Sequence, residues 1–405
     1  MMKKRIAWIL ALLLTAGAVF GCTPADPESR NESDQSGTKS SIEENTKEET
    51  EAPTEAPTEE PTEEPFGKDM DLRGIVVDYM KRMASVEWTA STLIDYSSNS
   101  KSLVYKPGQK YLGMVYNNNA TGLEKFLSIL DENAVSTETN TSWNESPGNS
   151  CATSIRHAYQ QVSADVEYGY SFDMLPFYEN TGIIAIGNID WSQYNGTNTL
   201  TTVFAVNDRD DLLEAYALMK PGDSLVRYID TGGHAQMITK DPFIVRTKEG
   251  KIDPENSYLY ISEQNNLLNN TREYPSSWKW DYPVSFATAQ NGSYLPVTIE
   301  ALVTGVTKKP EFETSSVPTA EDLAGGTIKG NVKCNYCMNE VKIEVLKDGE
   351  PVISYVTYPY ARSFGLKTIR NEIGLKELEA GSYTFVVTAA IGFGTEKLME
   401  IAFTK

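Results

Sequence analysis

Histidine and cysteine are scarce in this sequence, two and four in 405 residues. That leaves little room for a metal cluster or a disulfide scaffold, and any imidazole chemistry has to use His157 or His234. Basic residues are also in deficit: 36 lysines and arginines face 56 acids, a formal charge of −20. Such an acidic chain repels phosphate backbones, which argues against a nucleic-acid partner. The apolar run near the N-terminus, residues 6–20, is too short for a secure membrane span. What is present is a hydrophobic fraction of 40%, enough for a real core, in a length that allows about two or three domains.

The first 22 residues read as an export signal, with Lys3, Lys4 and Arg5 preceding the apolar run. The run ends in Val19-Phe20-Gly21-Cys22, which resembles a bacterial lipobox. The expectation is cleavage before Cys22 and lipidation of its thiol, each acyl chain contributing about 0.8 kcal/mol per buried CH₂. An ordinary signal peptide with an incidental cysteine is the other reading. Residues 23–66 hold fourteen acids against three basic residues, a net −11, with repeated Ala-Pro-Thr-Glu and Glu-Pro-Thr-Glu. They have too little apolar surface to offset the entropy of ordering, so a disordered, extended tether is expected.

Residues 67–308 read as the main globular domain. Ile75, Val76, Tyr79, Met80 and Met83 recur at helical spacing within 71–85, and a short amphipathic helix is expected over 121–130. Pro147-Gly148 then breaks the chain, and Asn149 or Ser150 can cap a helix carrying Ala152, Ile155, Ala158, Tyr159 and Val162. Cys151 falls in its first turn. There, unpaired backbone N–H groups and the positive end of the helix dipole favour a thiolate. A buried, inert thiol is the alternative. His157 projects away from both Cys151 and the apolar stripe, and is expected at the surface. His234 follows a predicted bend at Gly232-Gly233 and opens a strand, from which it can reach a helix tip. Residues 258–265 read as another strand, with Glu263 and Asn265 on one face. Either can accept the second imidazole N–H of His234, fixing its tautomer.

Asn149-Ser150-Cys151, Lys220-Pro221-Gly222-Asp223, the run from Gly233 to Ile238, and Ile261-Ser262-Glu263-Gln264-Asn265 together resemble the CHAP and NlpC-type cysteine peptidases. The likeness covers residues 110–300. It implies an α+β, papain-like catalytic domain with an antiparallel sheet and no cofactor or metal. Cys151 would be the nucleophile, His234 the general base, and Glu263 or Asn265 the group orienting the imidazole. Gly113-Met114-Val115-Tyr116 resembles the Gly-x-Pro-Tyr segment of NlpC-type enzymes, with Val115 in place of proline, and makes Tyr116 a candidate substrate-binding residue. With the export signal, these features lead to the expectation of a monomeric, lipid-anchored hydrolase outside a bacterial cell membrane, cleaving amide or peptide bonds of peptidoglycan. The competing expectation is a non-catalytic surface protein that binds cell wall or a partner.

Residues 309–325, polar and with Pro310 and Pro318, read as a linker. Residues 326–405 alternate like strands around a Lys347-Asp348-Gly349-Glu350 turn, the pattern of a small all-β Ig-like sandwich. Cys334 and Cys337 read as a small structural disulfide, or else a redox pair. With no second Cys/His pair nearby, zinc is not expected.

Overall fold

The computed structural model describes residues 64–405, apart from 101, 140, 168, 170, 177–181 and 195–198. The segments expected as an export signal, a lipidated Cys22 and a tether lie, up to residue 63, outside the described residues. Among those described, no helix is long and apolar enough to cross a membrane.

The architecture is mixed α/β with mostly antiparallel sheets. Helix α1 (Leu72–Ser85) opens where the Asp71 carboxylate accepts the Gly74 N–H at 2.8 Å. This is the local bond that satisfies one of the orphan donors of a first turn. Its buried face is Leu72, Val76, Tyr79, Met80, Met83 and Ala84. Two short antiparallel ribbons, 87–89 with 110–112 and 94–95 with 104–105, follow. The helix expected over 121–130 is confined to Leu123–Leu127. Helix α2 (Cys151–Tyr159) comes next, then α3 (Arg209–Ala217).

Six strands form one antiparallel sheet: β1 (Ile183–Ala185), β2 (Ser224–Ile229), β3 (Gly232–Phe243), β4 (Tyr258–Asn269), β5 (Ser276–Ser285) and β6 (Leu295–Ile299), in the order β1-β6-β2-β3-β4-β5. Strand alternation sends successive side chains to opposite faces, and both faces are covered. Val226, Ala235 and Met237 join Ile155, Ala158 and Tyr159 of α2 in one core. Leu225, Ile238, Leu259 and Ile261 join Leu213 and Tyr216 of α3, with Phe286, in another. Each large side chain removed from water contributes about 1.5–3 kcal/mol, so α2 is held by its packing rather than by propensity.

The β2–β3 hairpin turns at Asp230-Thr231, with Ile229 paired to Gly232. The bend expected at Gly232-Gly233 is therefore two residues earlier, and the glycines lie in the strand. Gly233 has a different reason to lack a side chain: a Cβ there would sit 2.0 Å from Ser171 Oγ.

The C-terminal module has a three-stranded sheet, β7 (Phe312–Ser315), β8 (Asn331–Met338) and β11 (Ala361–Gly365), in the order β7-β8-β11. Opposite it, β9 (Glu340–Lys347), β10 (Glu350–Thr357), β12 (Ser382–Ile391) and β13 (Gly394–Thr404) run in the order β10-β9-β12-β13. Val332 and Tyr336 of the first sheet share a core with Val341, Ile343, Phe385 and Val387 of the second. The segment expected to be a linker, 309–325, instead supplies edge strand β7 and a short helix, Ala320–Ala324. Phe312, packed on that core, ties it down.

Cys334 and Cys337 are both free, and the expected disulfide is absent. Both lie in β8, where residues three apart face opposite sides. Cys334 points into the sandwich core. Cys337 faces the other way, near Arg362 and Arg156.

The two modules are joined by buried polar contacts. Tyr79 Oη and Tyr360 Oη both donate to Glu124 Oε2. Asn339 Nδ2 donates to Gln161 Oε1 at 2.7 Å. Gly392 lies so close to Gln161 that a Cβ would sit 2.1 Å from its carbonyl oxygen.

Candidate active site

The start of α2 is fixed from both sides. Ser150 N–H donates to Thr153 Oγ1 at 2.8 Å, closing the first turn on itself. Asn149 N–H donates to the Val115 carbonyl and Asn117 N–H to the Asn149 carbonyl, both at 3.0 Å. Tyr116 is thereby bridged to Asn149, two residues before Cys151. The 113–117 segment is in turn pinned to the sheet: Trp278 Nε1 and Gln264 Nε2 each donate to the Met114 carbonyl at 2.9 Å. Gln264 Oε1 also accepts from Ser154 Oγ of α2 at 3.0 Å. Gly113, at φ +77°, lets the chain lie against the Trp278 ring, 2.3 Å from where a Cβ would be.

The Cys151 thiol and the His234 imidazole are close enough for each to shift the other's titration. The sulfur also faces the N–H groups of Ala235 and Ala152. The imidazole Nε2 is 2.7 Å from Glu263 Oε2, which leaves Nδ1 for the thiol. Cys151 is 4% exposed and Glu263 3%, so the charges are largely withdrawn from water.

Glu263 is buried without an unsatisfied lone pair. Its Oε2 accepts from His234 and, at 2.7 Å, from Gln236 Nε2. Its Oε1 accepts from Lys279 Nζ at 2.5 Å and Asn265 Nδ2 at 3.1 Å. Four donors match the roughly four acceptor positions of a carboxylate. Register explains the convergence. Lys279 lies directly opposite Glu263 on β5, and the Met237–Ser262 pair brings Gln236 opposite Glu263 and His234 diagonal to it.

These contacts set the charges. Burial alone raises the Glu263 carboxyl, but the charge and hydrogen bond of His234 and then those of Lys279 outweigh it and hold it far below the carboxylate range. Burial alone raises the Cys151 thiol; the His234 charge and hydrogen bond, with the Ala235 and Ala152 N–H groups, leave it below its ordinary value. Burial alone lowers His234, yet Tyr294, Cys151 and Glu263 bring it well above the ordinary imidazole value. Tyr294 acts in this way only as a phenolate, and its own phenol is raised by burial. At neutral pH the thiolate and the Glu263 carboxylate therefore carry the effect. Both shifts move the pair toward thiolate and imidazolium.

The sequence left Glu263 and Asn265 as equal partners for His234. Glu263 meets the imidazole, and Asn265 meets the other oxygen of Glu263. His157, expected at the surface, is 1% exposed. Its Nε2–H donates to the Ala120 carbonyl at 2.8 Å, and its ring meets that of Tyr360 at 4.9 Å. Residues distant in sequence cover that side of the helix. Gln236, Lys279, Arg227 and Tyr294 were not singled out from the sequence. The spacing of Gln236 from His234 was a usable signal, since i and i+2 share a strand face. The other three need the strand register. The Tyr294 ring lies 6.3 Å from His234 and carries the Arg227 guanidinium at 5.2 Å.

Among the described residues, no three His, Cys, Asp or Glu side chains converge as a metal site requires. A groove of about 620 Å³ lies on the C-terminal module, lined by Ala320, Leu346, Ser382, Tyr383 and Phe403 among others. It shares no residue with the Cys151 site. No protein-family model, curated protein or solved structure matches this chain.

Proposed function

We propose that this protein is a cysteine hydrolase of the papain-like, CHAP or NlpC type, acting on amide or peptide bonds. The observation that carries the reading is the Cys151–His234–Glu263 line, with a thiol at a helix N-terminus, an imidazole beside it, and a buried carboxylate on the far ring nitrogen. The Cys151 thiolate attacks the scissile carbonyl. The tetrahedral oxyanion forms beside the Cys151 N–H, one of the opening N–H groups of α2 that have no carbonyl four residues back in the helix. The His234 imidazolium gives its proton to the leaving amine, and the acyl group stays on sulfur as a thioester. Water, deprotonated by the now neutral His234, then releases the acid. Glu263 holds the ring and stabilises its charged form, as Lys279, Gln236 and Asn265 hold Glu263.

The export signal, the Cys22 motif and the acidic tether support a lipid-anchored enzyme outside a bacterial membrane, with peptidoglycan as substrate and an Ig-like module behind the catalytic domain. Mass spectrometry of peptidoglycan fragments tests this. Wild type is expected to release new fragments that Cys151→Ala does not. Identical fragment profiles contradict the peptidoglycan assignment.

A further inference from the structure

Arg227 is paired directly opposite His234 across the β2–β3 hairpin. Directly opposed residues of an antiparallel pair project from the same face, about 5 Å apart at Cβ. The guanidinium lies over the Tyr294 ring at 5.2 Å, and the same ring is 6.3 Å from the imidazole. The three side chains form one wall beside the nucleophile.

Two features distinguish this arginine. Its Nε is shut off from water and has no hydrogen-bond partner among the described residues. No carboxylate among those residues pairs with its guanidinium either. Arg73, by contrast, holds Asp223 at 2.8 Å, and Lys279 of the site is engaged by Glu263. Arg227 as a whole is half-buried, so its charge is withdrawn from water only in part, and without an anion that part is costly. Stacking on Tyr294 offsets part of that cost and orients the planar fork. A guanidinium so held presents parallel N–H donors suited to bidentate binding of a carboxylate.

We infer that Arg227 anchors a carboxylate of the substrate, so that the site takes amides or peptides bearing a free carboxylate beside the bond to be cut. The inference rests on the reading of Cys151 as the nucleophile. It adds a specificity residue, and it explains the placement of a cation next to His234, where it would otherwise oppose the imidazolium. The substrate anion cancels the charge on binding and leaves the proton on His234 for the leaving group.

The test uses two small alkylating reagents of nearly equal size, iodoacetate with a carboxylate and iodoacetamide without. The rate constants for Cys151 alkylation at pH 7 are measured for each, and their ratio is compared between proteins. The iodoacetate-to-iodoacetamide ratio is expected to fall about tenfold in Arg227→Gln, the scale of one lost charge-assisted contact, and to be largely kept in Arg227→Lys. A merely loosened site slows both reagents together and leaves the ratio unchanged, so an unchanged ratio in Arg227→Gln overturns the proposal while leaving the hydrolase reading intact. If neither reagent labels Cys151 in the wild-type protein, the nucleophile reading fails and the anchor falls with it.

Discussion

Acidification should weaken this fold through His157, and the size of the effect follows from its surroundings. Its Nε2–H is committed to the Ala120 carbonyl, which fixes the tautomer. Its Nδ1 is buried with no partner. Protonation there puts a charge in a buried site, where the Gln160 side chain offsets only part of the cost. Burial first, and the neighbouring Arg156 charge second, lower its pKa to about 3. An unfolded chain titrates near about 6.5. Below that value the unfolded state binds a proton that the native state refuses, so stability is lost as pH falls from about 6.5 toward about 3. Each unit is worth about 1.4 kcal/mol, so the loss at pH 5 is about 2 kcal/mol. Solvent screening gives little relief, because the residue is 1% exposed. The assay is urea unfolding of wild type and His157→Gln at pH 7.5 and pH 5. Glutamine keeps a donor for Ala120 and cannot ionise. The stability advantage of wild type over the variant should shrink by about 2 kcal/mol between the two pH values. Parallel shifts in both proteins would refute the reasoning.

Three further outcomes follow from the geometry. Glu263→Gln replaces an acceptor of four hydrogen bonds by a group with its own N–H donors, while water can still reach the partly exposed Lys279, so a loss of about 1–3 kcal/mol is expected in thermal or urea unfolding; near-wild-type stability would contradict the network. Gly122→Ala puts a Cβ 1.8 Å from Tyr360 Cζ, so a destabilisation of about 1–3 kcal/mol is expected, and less than additive loss when combined with Tyr360→Ala. Cys334 and Cys337 should each be alkylated in denaturant without reductant, as peptide mass mapping of 331–338 would read; a mass two hydrogens lighter and resistant to alkylation would restore the disulfide.

Much of the site was readable because its elements are locally encoded. The Pro-Gly break and the Asn149-Ser150 cap place Cys151 at a helix start, and period-2 alternation places Glu263 on a strand face. Helix α1 was equally legible from its spacing. Contacts between distant segments were not. The choice between Glu263 and Asn265 depends on which strands flank β4 and in what register. That information resides in pairings such as Met237 with Ser262 and Glu263 with Lys279. Likewise, His157 looks exposed from its own helix, and only Ala120 and Tyr360 bury it. The Cys-x-x-Cys spacing suggested a disulfide, whereas strand geometry separates the two thiols. Residues 309–325 looked polar because an edge strand carries few inward residues, Phe312 being the main one. Arg227 gave no motif at all; its meaning comes from lying opposite His234.

The central claim is that His234 holds Cys151 as a thiolate. It is tested most directly by the pH dependence of Cys151 alkylation by iodoacetamide, in wild type and in His234→Ala. The account predicts a wild-type midpoint below the ordinary thiol value of about 8.5, and a midpoint at or above it once the imidazole is gone, because burial then acts unopposed by the imidazolium. Coinciding midpoints in the two proteins would contradict it.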